Sequence, residues 1–228
     1  MTIPKEIVEV AKLAGAVFSE EHTESCVRVA PEWVLGIAHY RKQLRHIISQ
    51  QVSFDLFDGA GSVSKSERKC YSFKHYEDDW TATKQIKNVW KYQDHKKLEV
   101  GLFRIHENDN RTWPILDFED VVDGNKIDIK DKKYQIYAVG YPRYLWKREI
   151  VKGYMVSIND MHVYADLERA VPGFSGGPVF SHDGKLLGIM VSNSDTAGAK
   201  NVKFTRISAI SRYFSRKFAS ENGFSVWK

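Results

Sequence analysis

Along most of the chain, apolar residues gather in short runs and do not recur every third or fourth position. Cys26-Val27-Arg28-Val29, Trp33-Val34-Leu35, Leu98-Glu99-Val100-Gly101-Leu102-Phe103-Arg104-Ile105, Tyr134-Gln135-Ile136-Tyr137-Ala138-Val139 and Lys185-Leu186-Leu187-Gly188-Ile189-Met190-Val191 are rich in β-branched and aromatic residues. Short runs of that composition bounded by turn signals predict strands. Asp123-Gly124-Asn125 and His182-Asp183-Gly184 are such turn signals, the second placed as a hairpin turn. Helical spacing is confined to the two ends. Ile3, Ile7, Val8, Val10, Ala11 and Ala14 predict a short N-terminal helix ending at Gly15. Ile207, Ile210, Tyr213, Phe214 and Phe218, with Arg206, Arg212, Arg216 and Lys217 among them, predict an amphipathic C-terminal helix. The pattern is all-β with a helix at each end, and no repeat or Pro/Gly/Ser linker divides it.

Composition supports a packed core. The 228 residues are 43% hydrophobic and 28% charged, a globular balance that argues against a disordered, collagen-like or membrane chain. No apolar run approaches the roughly 20 residues of a membrane-spanning helix, and Met1-Thr2-Ile3-Pro4-Lys5-Glu6 is too charged for the apolar part of a signal peptide. The two cysteines, Cys26 and Cys70, lack C-x-x-C spacing, so a disulfide framework is excluded as the source of stability. The expectation is a soluble chain with reduced thiols in the cytoplasm or another reducing compartment, the host's if the chain is viral. The net charge of +5 is mild. The basic face of the last helix is read as solvated surface, because no aromatic and basic RNA-recognition motif accompanies it. H-E-x-x-H is absent, and Cys70 with His75 lacks further ligands, so neither metal nor cofactor is expected.

The stretch that carries chemistry is Val171-Pro172-Gly173-Phe174-Ser175-Gly176-Gly177-Pro178-Val179-Phe180. A hydroxyl that attacks a carbonyl needs a sharply turned backbone whose N–H groups face the oxygen that becomes negative, and glycines permit that turn and approach. The amides of Gly173 and Ser175 are the natural pair of oxyanion donors. An ordinary Gly-rich turn is the plainer account of the same residues. Serine is a weak nucleophile without a base. Of the eight histidines, His39 stands out because the apolar run from Trp33 leads directly into it. His22, His46, His75, His95, His106, His162 and His182 lie in polar surroundings and are expected on the surface.

Taken together, these residues resemble the chymotrypsin-fold serine proteases, closer to the HtrA branch of trypsin-like peptidases than to secreted digestive trypsins. Leu35-Gly36-Ile37-Ala38-His39 is similar to the family's strand ending in T-x-A-H, with Gly36 in place of threonine, and Gly173 to Pro178 matches G-x-S-G-G-P in full. Val139-Gly140-Tyr141-Pro142, Gly184 to Ile189 and Phe204-Thr205-Arg206-Ile207 resemble further family segments, so the likeness spans nearly the whole chain. It implies two packed antiparallel β-barrels within one domain over 1–228. The first, to about residue 110, would carry His39 and Glu99, and the second, from about residue 111, Ser175 and the closing helix.

The resemblance also assigns roles. It makes His39 the general base and Ser175 the nucleophile. The family's aspartate-headed strand corresponds to Glu99-Val100-Gly101-Leu102-Phe103-Arg104-Ile105, so Glu99 becomes the acid and Asp94 the fallback. A carboxylate one methylene longer than aspartate can orient the imidazole from slightly farther away. Phe174 stands where secreted zymogens carry an aspartate that pairs with a freed N-terminus, which implies activation without N-terminal cleavage. A polypeptide substrate would add as a strand along Val191-Ser192-Asn193. Arg169 and Ala170 fall near the pocket for the side chain preceding the scissile bond, although Arg169 facing water is the preferred expectation. Met190 takes the place of the histidine used by Gln- or Glu-selective relatives. Two other classes remain: a pseudoprotease that binds peptides by strand addition, kept alive by Glu99 and Gly36, and a nucleic-acid-binding barrel.

Overall fold

The structure is a computed structural model and describes residues 2–18, 23–30, 33–37, 50–54, 69–73, 99–104, 114, 116–119, 134–142, 147–169, 172–193 and 201–211. It begins with helix α1 (Lys5–Ala11), which opens behind Pro4, carries Glu6 in its first turn and buries Ile7 and Ala11, one turn apart. The helix stops before Gly15. Lys12 N–H bonds to the Glu9 carbonyl and Leu13 N–H to that of Val10, tightening the last turn. Gly15 lies inside a strand, opposite Cys26. The reason is burial: Leu13 through Val17 form one unbroken buried stretch, which a strand between two neighbours can satisfy and a one-sided helix cannot.

Six strands follow: β1 (Ala14–Phe18), β2 (Thr23–Ala30), β3 (Trp33–Ile37), β4 (Gln50–Phe54), β5 (Lys69–Phe73) and β6 (Val100–Arg104). They form one antiparallel sheet in the order β5-β4-β1-β2-β3-β6. The next six are β7 (Gln135–Gly140), β8 (Glu149–Ile158), β9 (His162–Leu167), β10 (Pro178–Ser181), β11 (Leu186–Asn193) and β12 (Asn201–Arg206). These close into a barrel in the order β10-β11-β12-β9-β8-β7. Counted from the first strand of each half, the closed barrel runs 4-1-2-3-6-5 around its circumference, and the first sheet is that same circle cut between its fifth and sixth strands. The two halves share one strand order, as the chymotrypsin fold requires. The hairpin between β10 and β11 turns at Gly184, whose φ of +84° suits a residue without a Cβ. Helix α2 (Ile207–Ser211) starts where the C-terminal spacing predicts, burying Ile207, Ala209 and Ile210. Its predicted continuation and the turn at Asp123-Gly124-Asn125 lie outside the described residues.

Two cores result. The interior of the closed barrel is lined by its own residues, among them Ile136, Val163, Leu187, Phe204 and Phe174. The other core is shared: Val27 and Leu35 of the first sheet pack with Val139, Phe180 and Ile189 of the barrel, under Ile7 of α1 and Ile210 of α2. The segment joining the halves helps seal it, since Leu116 is buried there and Leu186 N–H bonds to the Asp117 carbonyl. One histidine departs from its expected place. His162 is buried, because it opens β9 against Thr205 while Arg206 crosses the preceding turn to bond the Asn159 carbonyl at 2.9 Å. His182 is exposed and stacks on Tyr137.

Candidate active site

Ser175 stands in the turn between β9 and β10, and the glycines around it perform separate tasks. Gly173 and Gly176 have φ of +102° and +86°, the left-handed region where a side chain is strained. A Cβ on Gly176 would lie 1.9 Å from the Ser25 carbonyl oxygen, and one on Gly177 would lie 2.2 Å from that of Val139. The backbone at these two positions therefore packs directly on backbone. Gly177 N–H bonds to the Phe174 carbonyl at 2.9 Å, closing the turn on itself. Gly176 N–H reaches the Met190 carbonyl at 2.7 Å, and Met190 N–H returns to Gly177 at 2.8 Å, which fastens the turn to β11.

Phe174 points away from the turn into the barrel interior and is 1% exposed. It anchors the loop by apolar burial. Among the described residues, nothing accepts a hydrogen bond from the amides of Gly173 or Ser175. Ser175 is itself only half-buried.

The loop is also held from the other half of the molecule. Ser25 of β2 donates its N–H to the Ser175 carbonyl at 2.8 Å. Its hydroxyl donates to the Gly173 carbonyl at 2.7 Å and accepts from Tyr141 N–H at 2.9 Å. Sequence reasoning missed this residue. No local signal marks it, because β2 also carries Thr23, Glu24 and Arg28, and the partners of Ser25 lie in the opposite half of the chain. Next to it, burial pushes the Glu24 carboxyl up to about 7. Cys26, completely buried, has its thiol raised far above the usual range by the same cause, which disfavours the thiolate and makes it an inert core residue.

Ile37 is the meeting point of the predicted segments. It is the last residue of β3, the strand that leads toward His39. Its amide nitrogen lies 2.9 Å from where a Gly176 Cβ would stand, and it pairs with Val100, the residue after Glu99. Glu99 occupies the head of β6 with φ of +56°, a left-handed backbone that costs a residue with a side chain about 1–2 kcal/mol. Its carboxylate Oε2 lies 3.4 Å from Lys203 Nζ of β12, an ion pair joining the two halves that sequence reasoning also missed. His39, Asp94 and Ala170 lie outside the described residues.

Around the cleft, Arg169 is exposed and pairs with the Glu149 carboxylate. Met190 is buried in the barrel core. Val191 forms a bulge between two registers of the β11–β12 ladder and is buried in the shared core. The β10–β11 ladder stops at Ile189, so the Ser192–Asn193 backbone has β12 on one side and, among the described residues, no strand on the other.

Comparison with known proteins agrees with this architecture. Residues 25–189 match the family described as the trypsin-like peptidase domain. No curated protein matches the chain. Among solved structures, the Rv3671c protease in an inactive form shares 12% identity at a TM-score of 0.59, covering 96% of this chain and 93% of that one. A serine-to-alanine mutant of Rv3671c from Mycobacterium tuberculosis H37Rv, also inactive, shares 11% at a TM-score of 0.57 over 97% and 91%. Deg5 shares 13% at a TM-score of 0.58 over 91% and 89%. At these identities the likeness is one of fold.

Proposed function

The chain belongs to the trypsin-like peptidase domain family, and on that premise we propose that it is a serine endopeptidase whose triad is His39, Glu99 and Ser175. In this reading His39 takes the Ser175 hydroxyl proton as Oγ bonds to the scissile carbonyl carbon. The carbonyl oxygen becomes an oxyanion held by the amides of Gly173 and Ser175. His39 then gives its proton to the departing amine as the C–N bond breaks, leaving an acyl-enzyme. Water repeats the sequence: it bonds to the acyl carbon as its proton goes to His39, and His39 returns that proton to Ser175 Oγ as the ester bond breaks and the acid is released. Glu99 keeps the imidazole in the productive tautomer and stabilises its charged form.

The observation that carries this reading is the position of Ile37. The strand leading to His39 ends against the nucleophile turn on one side and beside Glu99 on the other, so three segments distant in sequence meet at one place. The substrate would add as a strand beside Ser192 and Asn193, where β11 has no strand neighbour among the described residues. Val191, behind them, belongs to the core that supports that edge. Arg169 would greet an acidic side chain only by giving up Glu149, so the pocket it borders with Ala170 is expected not to select acidic residues.

The test is labelling of the folded protein with a serine-directed fluorophosphonate, together with cleavage of an unfolded protein substrate. Ser175→Ala and His39→Ala should abolish both with the fold retained, and Glu99→Gln should lose about a hundredfold or more. Full activity of Glu99→Gln would transfer the acid role to Asp94 or to water. A second reading, a peptide-binding pseudoprotease, draws on the Lys203–Glu99 pair, which engages the carboxylate that the mechanism needs. Absence of labelling in the folded wild type would favour it.

A further inference from the structure

We propose that Ser25 is a positioning residue that aims the oxyanion donors from the opposite half of the molecule. The proposal rests on the reading of Ser175 as nucleophile. Ser25 is completely buried and makes three hydrogen bonds to the second half of the chain. Its N–H holds the Ser175 carbonyl, its O–H holds the Gly173 carbonyl, and its oxygen receives Tyr141 N–H from the end of β7.

The geometry of the peptide planes explains why these contacts matter. A peptide bond is planar, so fixing a carbonyl fixes the plane to which it belongs. The Gly173 carbonyl lies in the Gly173–Phe174 plane and the Ser175 carbonyl in the Ser175–Gly176 plane. Between them is the Phe174–Ser175 plane, which carries the Ser175 N–H. Ser25 therefore holds both planes flanking one oxyanion donor, while the buried Phe174 ring holds the residue between them. The other donor, Gly173 N–H, adjoins the same clamped plane across a single Cα, at a residue whose φ of +102° gives little resistance of its own.

Space for the clamp is made by glycines. A Cβ on Gly140 would lie 2.9 Å from Ser25 Oγ, and one on Gly177 would lie 3.1 Å from Ser25 Cβ. The consequence is a dependence of the oxyanion hole on the docking of the two halves. The second barrel supplies both donors, but the first sheet sets their direction.

The experiment compares wild type with Ser25→Ala and Ser25→Cys by the rate of fluorophosphonate labelling, by amide hydrogen exchange over 172–177 and by exchange across the remaining strands. Ser25→Ala keeps the backbone bond to Ser175 but removes both hydroxyl contacts. It should slow labelling ten- to a hundredfold and speed exchange over 172–177, with protection elsewhere unchanged. Ser25→Cys fills the same space with a weaker hydrogen-bonding group, so its loss should run in the same direction and be smaller. If Ser25→Ala does not fold, Ser25→Cys carries the test alone. Labelling and loop exchange at wild-type rates would overturn the proposal, as would faster exchange spread evenly over all strands. A folded wild type that takes no label would defeat the endopeptidase reading instead. In that case loop exchange decides the Ser25 proposal by itself, and an unchanged loop would end it.

Discussion

The two halves of the molecule follow one circular strand order but hold themselves together differently. Strands β7 to β12 close on each other around an interior made of their own residues, and Phe174 reaches into it from the nucleophile turn. The first sheet places Val27 and Leu35 in a core completed by residues of the barrel and of both helices. The barrel thus encloses a core of its own, while the described core residues of the sheet pack against the barrel and both helices. The proposed site lies where they meet, in the Ser175 turn that follows β9 of the closed barrel and is bonded by Ser25 of the sheet. What the contrast teaches is a division of labour: the closed half supplies rigidity, and the seam supplies alignment.

The largest expected effect comes from hollowing the closed half. Phe174→Ala empties a fully buried aromatic site, and such deletions cost about 3–5 kcal/mol. Because the sheet's core borrows residues from the barrel, hydrogen exchange should accelerate in both halves, and activity should fall as the turn loses its anchor. Urea unfolding measures the cost. A loss below about 1 kcal/mol, or protection lost only in the barrel, would show that the sheet is as independent as its partner.

The same contrast separates what was legible in the sequence from what was not. Strands at the seam are buried on both faces, as in Trp33–Ile37 and along Ile136–Gly140, and such strands appear in the chain as continuous apolar runs. The predicted strands at Trp33, Tyr134 and Lys185 contain stretches of this type. Strands on the open side of the barrel alternate, as β9 does from His162 to Leu167, and their charged outward residues conceal them from a search for apolar runs. Ala14 was assigned to a helix because α1 and β1 follow each other with only Lys12 and Leu13 between. The nucleophile turn was legible because its glycines answer a local backbone demand. Ser25, Lys203 and the Glu149 partner of Arg169 were not, since each acts through a contact with a residue remote in the chain.

A smaller effect should be confined to the sheet. Burial raises the Glu24 carboxyl from an ordinary 4.5 to about 7. In the unfolded chain it loses its proton near 4.5, so between these values the folded state binds more protons. Stability then falls as pH rises through that window and stays lower above it, by about 3 kcal/mol from this group. Glu24→Gln removes the ionisation. The variant should gain about 3 kcal/mol over wild type at pH 8 and less than about 0.5 kcal/mol at pH 4.5, with the added protection in β1 to β3. A gain of equal size at both pH values would mean that packing rather than charge burial is at work.

The smallest effect tests the seam itself. Lys203 and Glu99 join β12 to the head of β6 at 3.4 Å, with side chains 24% and 29% exposed. At that exposure solvent weakens the attraction, and such a pair contributes about 1 kcal/mol or less. Lys203→Met keeps most of the apolar stem and removes the charge. Its urea midpoint should drop slightly in dilute buffer and approach that of wild type in 1 M salt, where charges about 3 Å apart or more are screened. Because Glu99 holds a left-handed backbone at the start of its strand, losing the cation also removes one restraint on that conformation. On the proposed triad, labelling of Ser175 should therefore slow by a few-fold at most, far less than for Ser25→Ala, because the change would loosen only Glu99 and leave the Ser25 contacts to the turn in place. A loss of labelling as large as that of Ser25→Ala would move the principal alignment of the two halves from β2 to the Lys203–Glu99 pair.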